Sequence, residues 1–587
     1  MPFRLTCAVL LLAGLFATGY NRASAAPDPA PTGAAKSAFR FTRLFFADSE
    51  AKAAALQAGP DANPVGAVLV EDVPILATPE FADFVKPYFG QPITTETVNR
   101  LANDVVGYLR RHDRPVVKVL IPTQEINRGE FRLAVLIGRY KELQFQGNRW
   151  FSRALLESKL GIKPGDEVRL TTLEEAANWA NTNPFRQVKM LVNDTQGEQG
   201  WIDLIVNVQE AMPVRAAFSY DNTGNALLGP NHYTASIQFG NLWGLDHQAS
   251  YQFTTSGDPR TYQAHSGDYR VPLPWHHYLQ FTGAYSTVTA EIAGGDFALK
   301  GKSTLANLRY IAPVERGVYS LEFSGGLDFK QTNNDLEYGN QGSVFASKVD
   351  IFQLNLGATV VRHDQVGAWV FGATLSLSPG NLNARNSDAT FAVARPNGYA
   401  LLLDANGNQL YNINNGVLSP AVTPIGQSRY AYGTLSVQRL TKLPAGFQLF
   451  SRGQFQVSSA NLISTEQMSL GGQGTVRGYD ERITAGDEGY LLSHELQGPE
   501  WRTPLSVRGR KLPPMQSRLI AFWDFGKVWA KHPLGATEQP LMSVGLGVRC
   551  NAASNFNLAA DYGWQLLETT PKQPDHGRAC IKATLAY

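Results

Sequence analysis

From residue 213 onward the chain alternates apolar and polar residues with a period of two, segment after segment. Tyr233, Ala235, Ile237 and Phe239 alternate with Thr234, Ser236, Gln238 and Gly240. Phe352, Leu354 and Leu356 alternate with Gln353, Asn355 and Gly357. Phe556, Leu558, Ala560, Tyr562, Trp564 and Leu566 alternate with Asn557, Ala559, Asp561, Gly563 and Gln565. Period two puts one set on each face of a strand. An apolar face outward and a polar face inward is the pattern of a transmembrane β-barrel, the reverse of a soluble one. A β-sandwich also alternates, but is not expected to sustain so many long segments with aromatic ends.

The N-terminus directs the chain out of the cytoplasm. Residues 1–4 make a short start whose one charge is the basic Arg4, 5–17 are an apolar run, and Ala23-Ser24-Ala25 is a small-residue cleavage site, so residues 1–25 read as a signal peptide. The apolar run is too short to anchor the chain in a bilayer, and no later segment reaches the length of a membrane helix. Aromatics make up 11% of the chain and 54 residues are glycine. Because only every second barrel residue meets lipid, such a chain can be polar on average. A net charge of +2 argues against nucleic acid or another polyanion as partner. The exported cysteines, Cys550 and Cys580, fall on non-adjacent expected strands; no bridge and no zinc site is expected.

Residues 26–38 form a Pro/Ala-rich linker. Residues 39–212 mix helices and strands in two similar units, 39–138 and 139–212. In the first, strand 39–47 precedes an insertion over 48–74 with a possible strand at 68–71. A helix over 79–89 follows, then one capped by Thr94 with Val98, Leu101, Val105 and Leu109 on one face. Strands 116–121 and 130–137 close the unit. The second repeats the order: strand 141–146, helix 150–160, a helix opened by the capping box Thr172-Leu173-Glu174-Glu175 and stopped at Asn183, then strands 187–192 and 201–209. Residues 213–587 accommodate about sixteen antiparallel strands, with short turns alternating with long loops at 381–428 and 461–489.

Two stretches of this region carry distinctive side chains. Val476-Arg477-Gly478-Tyr479 lies in the second long loop, just after Gly471, Gly472 and Gly474. The strand over 519–529 reads Phe522-Trp523-Asp524-Phe525-Gly526. Phe522, Asp524 and Gly526 share one face, and a carboxylate belongs in the lumen rather than in lipid. Gly526 leaves room there for a second segment to approach. The glycines let the loop fold sharply into the barrel, where the Arg477 guanidinium fork can grip Asp524 at two points.

These motifs, with two β-α-α-β-β units ahead of a sixteen-strand-type barrel, resemble the two-partner-secretion transporters of the outer membrane. This is the TpsB-type family of haemolysin secretion/activation proteins, whose periplasmic modules are POTRA domains. The final residues Ile581, Ala583, Leu585 and Tyr587 share one face and resemble the C-terminal signal read by the barrel assembly machinery. The resemblance implies an outer-membrane location and a resting lock between Arg477 and Asp524. It also implies capture of a large secreted exoprotein, unfolded in the periplasm, by the POTRA-like units. Family members often carry an N-terminal plug helix; here only 49–58 is helix-prone upstream, so a plug is not expected.

An outer-membrane insertase and a passive porin or uptake channel stay open as alternatives. No enzyme, cofactor or metal is expected. Ser493-His494-Glu495 are neighbours on a strand and cannot form a triad by themselves. His276-His277 reads as a polar turn. Gly301-Lys302-Ser303 lacks the Walker spacing and reads as a barrel loop.

Overall fold

The computed structural model describes residues 39–587 except 57–65, 127, 195–199, 225–228, 293–296, 339–342, 394–411, 415–416, 420–425, 508–509, 533–538, 553–554 and 570–574. The signal peptide and most of the linker lie outside the described residues. Two compact units meet in sequence at Met212 and Pro213.

The first unit holds two small α+β domains. One comprises β1 (Arg43–Ala47), α1 (Glu50–Ala55), β2 (Ala67–Glu71), α2 (Pro79–Val85), α3 (Thr95–Arg111), β3 (Val117–Leu120) and β4 (Glu130–Ile137), with sheet order β2-β1-β4-β3. Thr94 caps α3 through a reciprocal box with Thr97. Leu101, Val105 and Leu109 then bury against Phe41, Phe46 and Phe81. The residues expected as one helix over 79–89 divide into α2 and a 3-10 turn at Lys86–Tyr88, because Pro87 cannot continue the backbone ladder. The helix-prone 49–58 stretch is α1, whose Ala53 packs on Ala47 and Ala134 in this domain.

The other domain comprises β5 (Arg139–Gln146), α4 (Arg153–Leu160), α5 (Leu170–Ala180), β6 (Arg186–Asp194) and β7 (Trp201–Glu210), with sheet order β5-β7-β6. Here the expected capping box fails. α5 begins at Leu170, ahead of Thr172, and its N-cap Arg169 makes no side-chain cap. Asp113 of the first domain does the work instead, accepting from the Thr171 amide at 2.8 Å and the Thr171 hydroxyl at 2.6 Å. A carboxylate placed from outside satisfies the free first-turn amide better than a threonine already inside the helix. α5 also ends earlier than Asn183, at Ala180 with Asn181 as C-cap, whose side chain turns to bond Val188 on β6.

The second unit is a closed antiparallel barrel of sixteen strand positions. Glu488–Gln497 and Trp501–Val507 share one position, both pairing with the long strand Arg510–Trp529. The ring closes where Gly577–Ala586 pairs with Val214–Asp221. Phe281, Leu327, Phe371 and Leu435 are exposed on the outer face, while Asp328, Gln353, Ser376 and Asp561 are buried. Gly301-Lys302-Ser303 is not a loop. It lies within the strand Phe297–Arg316, paired with Asn334, Asn333 and Thr332; the ladder to Tyr319–Tyr338 holds it extended, a partner that the short Gly-Lys-Ser run does not reveal. Ile581, Leu585 and Tyr587 are exposed, and the Tyr587 backbone exchanges bonds with Ala216 at the seam. Cys550 and Cys580 are free thiols.

Candidate functional site: a loop seated inside the barrel

The loop between strands Gln448–Ser458 and Glu488–Gln497 folds back on itself. Its arms Met468–Leu470 and Thr484–Gly486 pair antiparallel. Gly471 and Gly472 follow the first arm with φ of +102° and +94°, a region that L side chains avoid. Met468, Leu470, Val476 and Tyr479 then bury against Leu491, Val528 and Leu541 of the wall. The loop is thus held by apolar contact before any charge is counted.

Arg477 sits at the centre of this tip, and its contacts reach three inward-facing wall residues. Its Nε donates to Asp524 Oδ2 at 2.7 Å, its Nη2 to Asp524 Oδ1 at 2.9 Å, and its backbone amide to Oδ2 at 3.1 Å. Nη1 donates to Glu495 Oε2 at 2.8 Å. The guanidinium carbon lies 3.5 Å from the Phe522 ring centroid, a stacked cation–π contact. Asp524 is fully buried and also accepts from Ser493 Oγ at 2.6 Å. A buried carboxylate is tolerable only when paired and bonded in this way.

The flanking motif residues make the fit possible. Gly478 has φ of +92°, and a Cβ there would stand 2.7 Å from the Gly563 carbonyl oxygen on strand Phe556–Gln565. Gly563 is equally intolerant, since its own Cβ would meet the Gly478 nitrogen at 2.7 Å. Tyr479 donates its hydroxyl to the Met542 and Leu567 carbonyls, at 2.8 and 2.7 Å, and Gln565 Nε2 donates to the Gly478 carbonyl at 2.8 Å. Gly526 accommodates Leu470 of the loop, whose Cδ1 lies 2.8 Å from where a Cβ would be. Phe522 is seated in the space left by Gly545.

All the candidate motif residues but Tyr587 therefore meet at one place. Tyr587 belongs to the closing seam. Sequence reasoning missed Ser493, Glu495 and Gly563. The first two were seen only as neighbours of His494, although their shared parity already put them on one face. Glu495 also meets Arg549 at 3.5 Å, and Arg549 pairs with Asp561 at 2.8 Å, so alternating charges continue down the wall. His494 faces the other way, bonded to Ser451 and stacked on Trp523. Gly563 carried no signal at all, being one barrel glycine among many. His277 bonds Tyr310 beside its turn.

A lipid-facing barrel with a loop sealed into its lumen, preceded by two POTRA-like domains, defines an outer-membrane β-barrel protein of the transporter class. Residues 200–550 match the family described as haemolysin secretion/activation protein ShlB/FhaC/HecB, and the chain belongs to that family. It is 22% identical to the outer membrane transporter CdiB-2 of Burkholderia pseudomallei (strain 1026b), over 86% of this chain and 79% of that protein. It is also 22% identical to the heme/hemopexin transporter protein HuxB of Haemophilus influenzae (strain 86-028NP), over 82% and 79% of the two chains. The fold is similar to that of CdiB from Escherichia coli, with a TM-score of 0.67 and 15% identity over 95% of this chain and 93% of that one.

Proposed function

We propose that this protein exports one large partner protein through its barrel, and that the seated loop keeps the pathway closed until the partner arrives. The observation that carries the reading is the Arg477 network. A cation held by two carboxylates, an aromatic face and close glycine contacts is a resting state with discrete bonds to break. The periplasmic domains capture the unfolded partner by strand addition. β6 is an edge strand of its sheet and carries exposed Leu191, so an extended chain gains main-chain bonds and a side-chain foothold there. Folding of the partner outside the cell draws it outward without nucleotide. The exposed C-terminal Tyr587 face serves the barrel assembly machinery during insertion into outer-membrane lipid.

The test is comparative proteomics of culture supernatant and outer membrane from cells with the wild-type gene, without it, and with Arg477→Asp. The expected result is loss of one large secreted protein in both altered strains, with partial recovery when Asp524→Arg is added. A broad fall in outer-membrane barrels would mark an insertase instead. No change in either fraction would mark a passive channel.

A further inference from the structure

The loop that carries Arg477 is fastened at a second place that the motif does not include. Glu466, earlier in the same loop, has a fully buried side chain. Its carboxylate accepts from Lys330 Nζ at 2.8 and 2.9 Å, from the Tyr432 hydroxyl at 2.8 Å and from Gln353 Nε2 at 3.2 Å. Its backbone carbonyl accepts from Gln456 Nε2 at 3.1 Å. Beside it Leu462 and Ile463 bury against Val349, Ile351 and Tyr430 of the wall.

The position of this second fastening follows from the strand order. Lys330 stands on Tyr319–Tyr338, whereas Gly563, against which Gly478 rests, stands on Phe556–Gln565. The Glu466 fastening reaches the wall from Tyr319–Tyr338 round to Arg429–Lys442, and the Arg477 tip reaches it from Glu488–Gln497 round to Phe556–Gln565. The loop therefore lies in the lumen as a bar fixed to two separate sectors of the wall. Gly471 and Gly472 lie between the two fastenings.

We propose that Glu466 and Lys330 form a second latch, and that the pathway opens only when the bar is freed at both sectors. The inference rests on reading the loop as the closing element. Either latch alone keeps the bar in the lumen, so the two are coupled and their loss is strongly non-additive. The Gly471-Gly472 joint lets the Arg477 end leave first while the Glu466 end still holds.

The test is single-channel conductance of the purified full chain in planar bilayers, for wild type, Arg477→Ala, Glu466→Gln and the double variant. Heat-modifiable gel migration confirms a folded barrel in each case. The single variants are expected to raise the open fraction modestly, and the double variant about tenfold beyond the product of the two, as two coupled restraints require. The swap Lys330→Glu with Glu466→Lys is expected to reverse the modest rise in open fraction that Lys330→Glu alone causes. If Glu466→Gln behaves as wild type and adds nothing to Arg477→Ala, the second latch is overturned while the first stands. If Arg477→Ala and the double variant both stay closed, the reading of the loop as the closing element falls, and the second latch with it.

Discussion

The α+β domains and the barrel bury opposite kinds of residue. In the first domain Phe46, Phe81, Leu101 and Val105 fill an apolar core, and the Arg100–Glu96 ion pair lies on the surface with both side chains more than half exposed. In the barrel most apolar residues face outward, and the enclosed groups include the charged Asp524, Arg477, Glu495 and Glu466 beside the apolar patches under the loop. The same kind of charge that contributes little on a helix surface contributes more where it is enclosed, and there it adds to the apolar contacts of Met468, Leu470, Val476 and Tyr479 in holding the loop. Stability in the domains is thus a matter of packing. Seating of the loop in the barrel combines apolar contact with a few specific polar contacts and with glycines that let backbone approach backbone.

The contrast can be broken most severely at Gly478. Gly478→Val puts a β-branched side chain into a positive-φ site against the Gly563 carbonyl. The tip is expected to leave the wall altogether, while the barrel still folds. Protease cleavage within 473–482, absent in wild type, checks it. Next comes Asp524→Ala, which leaves a buried guanidinium half-paired with Glu495. A loss in tip seating below the ~3–5 kcal/mol of a fully buried pair is expected, because the lumen is partly wet, and is read as faster labelling of a cysteine introduced by Thr475→Cys. Phe46→Ala sharpens the comparison from the other side. It removes an edge-to-face partner of Phe81 at 5.0 Å and is expected to destabilise the first domain by about 3–5 kcal/mol. Thermal melting should shift the domain transition and leave the barrel's heat-modifiability unchanged.

Smaller effects follow. Tyr479→Phe strips the hydroxyl from two half-buried wall carbonyls, at a cost of about 1–3 kcal/mol. Cysteine labelling at position 475 should rise by less than with Asp524→Ala. Arg100→Ala removes an exposed i,i+4 pair and should cost about 0.3–0.5 kcal/mol, detectable only by denaturation of the isolated unit before residue 213. An effect there as large as that of Asp524→Ala would erase the distinction between surface and lumenal pairs.

Much of this was legible in the residues because period two is a local property. The alternation through Phe522, Asp524 and Gly526 says which face each occupies whatever the rest of the chain does. The glycines around Arg477 likewise announce a sharp turn, because positive φ is a local demand. Thr94 capped its helix as read, since its partner Thr97 is three residues away. Thr172 did not, because Asp113, from a different domain, reached the helix start first. Local signals hold where the partner is local and fail where a distant residue competes for the same amide.

By itself, then, the sequence determined the barrel, the two α+β units, the inward aspartate and the loop able to fold in. Only the tertiary structure decided what that loop touches. Glu495 and Ser493 joined Asp524 because strand Glu488–Gln497 pairs directly with Arg510–Trp529, setting Ser493 opposite Asp524 and Glu495 opposite Phe522. Gly563 met Gly478, and Glu466 met Lys330, because closing a ring of sixteen brings strands distant in sequence within reach of one loop. Periodicity fixes the face a side chain occupies, but contact across a lumen depends on ring closure and on the path of the loop. Neither is encoded in any short stretch of the chain.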